Sequence, residues 1–286
     1  MSNIIDGKLV SKIVKERVAE EVKHLIFEKK VHPCLAVILV GDDPASQVYV
    51  KNKQKACEET GIISRQFNLP ADIGQEKLIR LIYDLNVDEG IDGILVQLPL
   101  PKGYDEKAVL DAVSPYKDVD AFHPKNVGKI MIGEYDFLPC TPAGIMELLS
   151  YYNIEVAGKE CVVVGRSNIV GKPMSMLLLH KDGTVTTAHS KTKNLVDVCK
   201  RADILVAAVG RPGFITEDMV KDGAVVIDVG INRVDGKLCG DVDFENVSRK
   251  TSWITPVPGG VGPMTIAMLM QNTVTAAKKQ AGVDLT

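Results

Sequence analysis

Five short runs of apolar, largely β-branched residues constrain this chain more than any other feature. They are Leu35–Gly41 (LAVILVG), Gly93–Pro101 (GILVQLPLP), Cys161–Gly165 (CVVVG), Ile204–Gly210 (ILVAAVG) and Ala224–Gly230 (AVVIDVG), each ending in or beside glycine or proline. A strand with one wet face alternates apolar and polar residues. A continuous run is apolar toward both faces, as in the interior of a parallel sheet. Helical stretches lie between the runs. In Asp6–Lys30 the residues Leu9, Ile13, Val14, Val18, Val22, Leu25 and Ile26 recur at helical spacing with charges between them. Asp43-Pro44 reads as a cap followed by a first-turn proline, and Gly61 stops the helix that follows. The alternation implies α/β architecture with right-handed crossovers.

A chain of 286 residues has room for two such domains. The composition changes over residues 114–141, which hold three prolines before Thr141 and little helical periodicity, so this stretch is expected to connect them. Thr141-Pro142 then caps a helix to about Tyr152, and a second series of strands follows, including Thr184–Ala188. Asp235-Gly236, between short apolar stretches, predicts a hairpin within Asn232–Asp241. The last helix, over about residues 263–279, has no later strand to pack beneath and is expected to return to the first domain. The expected division is therefore residues 1–140, completed by about 263–286, and residues 141–262.

Charge and cysteine content remove several function classes. Lys and Arg number 34 against 37 Asp and Glu, a net charge of −3, which argues against a basic nucleic-acid binder. With 45% hydrophobic and 25% charged residues the chain is not of the disordered type. No apolar run approaches the ~18 residues that cross a bilayer, and MSNIIDGKLVSK has no signal-peptide-like apolar segment, so no membrane role and a cytoplasmic location are expected. The six cysteines stand far apart, without a CxxC pair or a histidine at ligand spacing, which predicts reduced thiols and no metal site.

A glycine-rich turn follows the run at Cys161: Gly165-Arg166-Ser167-Asn168-Ile169-Val170-Gly171-Lys172-Pro173, leading into the apolar stretch Met174–Leu179. Between a strand and a helix N-terminus, such a turn lets backbone N–H groups approach a pyrophosphate. The spacing is not GxGxxG, because Ser167 takes the middle glycine position, and by itself the loop also reads as an ordinary turn. The next strand ends in His189-Ser190-Lys191-Thr192-Lys193, without the carboxylate that would accept ribose hydroxyls in an NAD site. These groups and Arg166 suit a 2′-phosphate, favouring NADP; a solvated basic loop is the alternative.

Candidate catalytic groups lie earlier. Tyr49 and Lys53 are four apart on the helix after Asp43-Pro44 and so share a face, as a surface helix would also allow. A lysine does acid–base chemistry near neutral pH only if desolvation or a cationic neighbour lowers its pKa. Gln97 sits inside a buried run, near the strand end where ligands bind in parallel sheets, either as a structural amide or as a site residue. Asp118 and Asp120 are turn residues or carboxylates that read a pair of donors. Pro256-Val257-Pro258-Gly259-Gly260-Val261-Gly262-Pro263 is stiffened by proline and opened by glycine for close backbone approach.

Taken together, Pro44–Tyr49 through Lys53, Val96–Pro101, Lys117–Pro124, Gly165–Pro173 and Pro256–Thr265 closely resemble the bifunctional methylenetetrahydrofolate dehydrogenase/methenyltetrahydrofolate cyclohydrolase family. The similarity covers nearly the whole chain in the family's order. One departure is Ala121, where the family pattern has glycine. The resemblance implies two α/β domains around a cleft, the second a Rossmann-like NADP-binding domain with a parallel sheet, in a homodimer. It implies that Lys53 is the catalytic acid/base, that Tyr49 packs on the folate, and that Gln97 tunes Lys53. By the same resemblance Asp120 would bind the amino-pyrimidine edge of the pterin, Val96 and Leu98 would flank Gln97 in the folate site, and Pro256, Pro258, Gly259 and Gly260 would form its wall. Gly165, Arg166, Ser167, Ser190 and Ile231 would be NADP positions, to which the basic loop adds Lys191 as an expected contact. The implied reactions are oxidation of 5,10-methylenetetrahydrofolate with NADP and hydrolysis of the methenyl product to 10-formyltetrahydrofolate, in one-carbon metabolism and purine biosynthesis. A single-activity member, a shikimate-dehydrogenase-like oxidoreductase and a non-catalytic NADP sensor are the competing readings.

Overall fold

The computed structural model describes residues 2–283. In chain order its elements are β1 (Asn3–Ile4), α1 (Gly7–His24), β2 (Cys34–Val40), α2 (Pro44–Thr60), β3 (Ile63–Leu69), α3 (Gln75–Val87), β4 (Gly93–Val96), α4 (Glu106–Asp111), α5 (Pro124–Ile132) and α6 (Cys140–Tyr151). There follow β5 (Glu160–Val164), α7 (Gly171–Leu179), β6 (Thr184–Ala188), α8 (Leu195–Cys199), β7 (Ile204–Ala207), β8 (Val225–Asp228), β9 (Asn232–Val234), β10 (Lys237–Cys239), α9 (Phe244–Val247), β11 (Trp253–Ile254) and α10 (Val261–Gln280). Two compact units form, one from Met1–Lys12 with Thr141–Thr265 and the other from Ile13–Cys140 with Ile266–Thr286.

The second of these is built on a parallel three-stranded sheet in the order β3-β2-β4. The central strand β2 is buried along its whole length, as its unbroken apolar run requires. Leu78, Ile82 and Leu85 of α3 pack with Ile38, Val40, Ile94 and Val96 of the sheet in one core. The edge strand β3, ISRQFNL, mixes exposed and half-buried residues and has no fully buried one. Its wet outer side explains why a search for continuous apolar runs passes over it. Helix α2 begins where the sequence places it: the Asp43 carboxylate accepts from Ser46 N at 2.8 Å, Pro44 follows, and Gly61 closes the helix at φ 77°.

The other unit carries a six-stranded, all-parallel sheet in the order β1-β11-β8-β7-β5-β6. The chain passes from β5 outward to β6 and then returns to β7 on the opposite side, so β5 lies at the switch point where parallel sheets bind ligands. Val162, Val164, Leu205, Ala207 and Val226 are buried in its core. The hairpin β9–β10 is antiparallel, and Asp235 and Gly236 both take positive φ, as a two-residue turn of the I′ type demands.

Two expectations need correction. The first twelve residues cluster with the six-stranded unit and not with residues 13–140, because β1 pairs with β11 and Ile5 N donates to Ile254 O at 2.9 Å. Residues 114–140 are not a connector: they belong to the three-stranded unit and contain α5, whose N-terminus is capped by the His123 ring nitrogen accepting from Lys125 N at 3.1 Å, with Pro124 in the first turn. Residues Ile266–Thr286, which include most of α10, cluster with Ile13–Cys140, so that unit is discontinuous in sequence.

Candidate active site

In the three-stranded unit several of the sequence candidates converge at the C-terminal end of the sheet. The ladder between β2 and β4 extends one residue past Val96, with Gln97 N donating to Ile38 O at 2.8 Å. Beyond the other side of β4, Ile94 N donates to Lys117 O at 2.7 Å and Ile94 pairs in parallel with Asp118. The chain from Lys117 thus runs alongside β4, and two residues beyond that pairing stand Val96 and Asp120. Gly93 permits the fit, since a Cβ there would lie 2.7 Å from a Val119 methyl. Helix α2 supplies the remaining groups, an exposed Tyr49 and, one turn later, a half-buried Lys53.

Lys53 Nζ donates to Gln97 Oε1 at 2.9 Å, and Gln97 Nε2 donates to Leu98 O at 2.6 Å. The second bond fixes which end of the amide faces the lysine. Burial pulls the Lys53 ammonium below the ordinary lysine value of 10.5, opposed by the Asp120 carboxylate. Burial likewise pushes Asp120 up to about 6, against the favourable charge of Lys53. A weakly held lysine proton beside a weakly held carboxylate charge is a pair suited to proton transfer.

The two aspartates divide the alternatives left open by the sequence. Asp118 is a turn residue: its carboxylate accepts from Phe122 N at 3.2 Å, His123 N at 2.8 Å and Asn126 Nδ2 at 2.8 Å. Lys117 is occupied too, donating to Leu85 O and Asp88 O. Asp120 is neighboured by the Cys140 thiol, whose Sγ lies 3.7 Å from Asp120 Oδ1 and 3.6 Å from Val119 O. Burial holds that thiol well above its usual range, so it is a protonated donor. Ala121 takes φ 56° with its side chain fully buried, a left-handed conformation that glycine would adopt without strain.

The cofactor candidates occupy the six-stranded unit. Gly165 follows β5 at φ 145°, and a Cβ on it would sit 2.3 Å from Ala208 O. Gly171 is as tight, with its Cβ position 2.3 Å from Gly165 O. The turn thus presses against both its own helix and the β7 end, and neither position has room for a side chain. Ser167 Oγ accepts from Val170 N and Gly171 N at 3.1 and 3.2 Å, fixing the start of α7, while Arg166 projects into solvent. After β6, His189 N donates to Thr192 Oγ1 at 2.8 Å and Lys191 N to His189 Nδ1 at 3.2 Å, leaving Ser190 and Lys191 exposed at the loop tip. Ile231 is half exposed beyond β8. A glycine cradle bordered by cationic and hydroxyl groups, with no carboxylate at the end of β6, fits a dinucleotide bearing a 2′-phosphate.

Two buried carboxylates shape the neighbouring loops. Asp241 accepts from Val209 N, Gly210 N and Arg211 N at 2.6, 2.8 and 2.9 Å, and from Asn232 Nδ2 at 2.9 Å. Asp228 accepts from Gly230 N, Asp241 N and Val242 N at 2.9 to 3.0 Å, and burial pushes it up to about 6. Pro256, Pro258, Gly259 and Gly260 also lie in this unit. Gly260 is buried under the start of α1, with its carbonyl 1.7 Å from where a Cβ on Gly7 would lie, and Lys8 N donates to Gly259 O at 3.2 Å. The close approach that these glycines allow is therefore to the chain's own backbone. Cys140, Asp228 and Asp241 were not singled out as site residues from the sequence; an acid inside the apolar run AVVIDVG was the available signal for Asp228.

The parallel six-stranded sheet with its glycine turn defines a dinucleotide-binding α/β protein, and the other unit adds a half-buried lysine hydrogen-bonded to Gln97. Residues 5–120 match the family described as tetrahydrofolate dehydrogenase/cyclohydrolase, catalytic domain, and residues 139–281 match the NAD(P)-binding domain of the same family. The chain belongs to the tetrahydrofolate dehydrogenase/cyclohydrolase family. It is 62% identical over 281 residues to a bifunctional protein FolD of Acetivibrio thermocellus, covering 98% of each. The crystal structure of the bifunctional methylenetetrahydrofolate dehydrogenase/cyclohydrolase of Campylobacter jejuni superposes with a TM-score of 0.95 at 52% identity, over 98% of this chain and 99% of that one. The Trypanosoma brucei dehydrogenase-cyclohydrolase, solved with NADP cofactor and an inhibitor, gives 0.92 at 41% identity, over 97% and 98%.

Proposed function

We propose that this chain oxidises 5,10-methylenetetrahydrofolate with NADP and hydrolyses the resulting methenyl cation to 10-formyltetrahydrofolate, with Lys53 as the acid/base. The observation that carries the assignment of Lys53 is its bond to Gln97 at 2.9 Å in a half-buried setting that lowers its proton affinity. When bound in the glycine cradle of the six-stranded unit, NADP supplies the hydride acceptor. Every other task falls to the chain's own side chains.

Gln97 Oε1 orients the Lys53 amine, and its own N–H is held by Leu98 O, so the amide cannot flip without losing two bonds. Tyr49, one helical turn from Lys53, offers its exposed ring as a surface for the pterin. Asp120, as a carboxylate, accepts from the amino-pyrimidine edge, with Val96 and Leu98 beside it. In hydrolysis Lys53 takes a proton from the attacking water and returns one as the ring opens. The methenyl cation lowers the amine's proton affinity further, because like charge opposes like charge. Gly165, Arg166, Ser167, Ser190, Lys191 and Ile231 bind the cofactor.

The homodimer and the cytoplasmic location belong to the same proposal and rest on the family resemblance. Among the described residues no helix is long and apolar enough to cross a membrane. The deciding experiment follows NADPH and the methenyl compound together by absorbance after methylenetetrahydrofolate is added. Both signals should rise, and the methenyl signal should then decay. A persistent methenyl signal would reduce the assignment to a dehydrogenase alone, and no NADPH signal would reject it.

A further inference from the structure

Asn272 lies on α10, more than a hundred residues beyond the sequence motifs of the three-stranded unit, and is buried. Its Nδ2 donates to Val119 O at 2.8 Å and to Leu138 O at 2.9 Å, and lies 3.7 Å from Cys140 Sγ. The amide nitrogen has two hydrogens, and the two carbonyls use both. One carbonyl immediately precedes Asp120. The other stands two residues before Cys140, whose thiol faces Asp120 Oδ1. A single side chain therefore ties together the backbone on which Asp120 is mounted and the backbone that carries its thiol neighbour.

The segment it holds is otherwise tied mainly to itself, with Val119 N donating to Lys117 O at 3.0 Å and Ala121 N to Asp118 O at 3.1 Å. Val119 packs on Gly93, and Ala121 is held left-handed just after Asp120, a conformation that a residue with a Cβ leaves readily unless its surroundings enforce it. Asp118 is fixed by three donors, but all of them come from residues 122–126, on the far side of Asp120. The grip on the Val119 carbonyl, which Asn272 shares with the more distant Cys140 thiol, comes from outside this turn and orients the peptide leading directly into Asp120.

We infer that Asn272 is a positioning residue for Asp120, setting the direction of its carboxylate for folate recognition. This rests on the reading of Asp120 given above. Two properties of the site follow from it. Asn272→Asp keeps the shape of the side chain but places an acceptor against two carbonyls, so it should disrupt the clamp more than Asn272→Ala does. Loss of the clamp should act on the folate and not on NADP, whose candidate residues lie in the other unit.

The test is a double-mutant cycle on the full-length protein with Asn272→Ala, Asp120→Asn and their combination. Tetrahydrofolate binding is read by fluorescence quenching and NADP binding by its own titration. Asn272→Ala should weaken folate binding about tenfold, the scale of one buried hydrogen-bond group left unpaired, while the NADP affinity stays within about twofold. In the Asp120→Asn background the same change should have almost no further effect, because the group being positioned is already altered. Full additivity of the two losses would overturn the inference, as would unchanged folate binding in Asn272→Ala. If Asp120→Asn alone leaves folate binding intact, the reading of Asp120 fails instead. Should Asn272→Ala not fold, Asn272→Gln, which keeps the donor but moves it by one methylene, is measured in the same cycle. Intermediate weakening that vanishes in the Asp120→Asn background supports the role, and weakening that persists there contradicts it.

Discussion

In both units the residues singled out lie beyond the C-terminal ends of parallel strands, but those ends are built from different materials. Past β2 and β4 the candidate groups are side chains: Lys53, Gln97 and Asp120, the lysine and the aspartate with proton affinities shifted by burial. Past β5, β7 and β8 the shape is set by backbone: a turn with no room for a Cβ at Gly165 or Gly171, and loops whose N–H groups close on Asp241 and Asp228. Chemistry that moves protons needs titratable groups in a place where water does not level their pKa values. Binding a dinucleotide needs close approach and fixed donors, which backbone provides with no rotamer to order. The three-stranded unit should therefore respond to loss of a functional group, and the six-stranded unit to addition of bulk.

The largest effect is expected at Lys53. Lys53→Met should lower cyclohydrolase turnover by about 10²–10⁴-fold, the usual contribution of a positioned acid/base, while NADP binding persists. Formation of 10-formyltetrahydrofolate at the original rate would show that the proton is handled elsewhere. Next comes Gly165→Ala, which forces a Cβ to within 2.3 Å of Ala208 O. It should weaken NADP binding by about tenfold or more and lower stability by about 1–3 kcal/mol, with folate binding spared. Retained NADP affinity would mean that the turn yields, blurring the contrast between the units. A smaller, selective effect is expected for Arg166→Ala, which should raise KM for NADP about tenfold and leave KM for NAD nearly unchanged, since only the first has a 2′-phosphate to pair. Equal changes would place recognition of the phosphate on Lys191 or its neighbours.

The smallest effect concerns pH. Burial raises Asp120 to about 6, so its carboxylate gains a proton as pH falls through that value. A protonated Asp120 offers one acceptor fewer to an amino-pyrimidine edge, and folate binding should weaken below about pH 6. Asp120→Asn should flatten that limb. The stability of the six-stranded unit is expected to run the opposite way through Asp228: a carboxyl whose folded value stands above its unfolded one favours the fold most at low pH, and that contribution is lost as pH rises through about 6.

What could be read in the sequence follows the same division. The buried strands β2, β4, β5, β7 and β8 announce themselves because both faces are covered and each run is unbroken. The edge strand β3, whose residues are exposed or half-buried, and the strands β1 and β11, of two residues each, do not. Helix α5 hides behind a cap made by a histidine ring, an uncommon choice. Lys53, Gln97 and Asp120 stand out as chemical types in telling places. Cys140 and Asn272 do not, because a thiol and an amide acquire meaning only from the carboxylate and carbonyls that the fold brings to them. The role of Asp118 was open for the converse reason: its three donors follow it closely, but nothing in the sequence separates it from Asp120, two residues on.

The central claim is that Lys53 holds its proton less tightly than an ordinary lysine because the fold half-buries it beside Gln97. The most direct measurement is a chemical-shift titration of the Lys53 side chain in the intact protein, its signal assigned by disappearance in Lys53→Met. The midpoint should fall below the ordinary value of 10.5, and lower still in Asp120→Asn, where the charge that favours the ammonium is gone. A midpoint at or above 10.5, unmoved by that substitution, would contradict it.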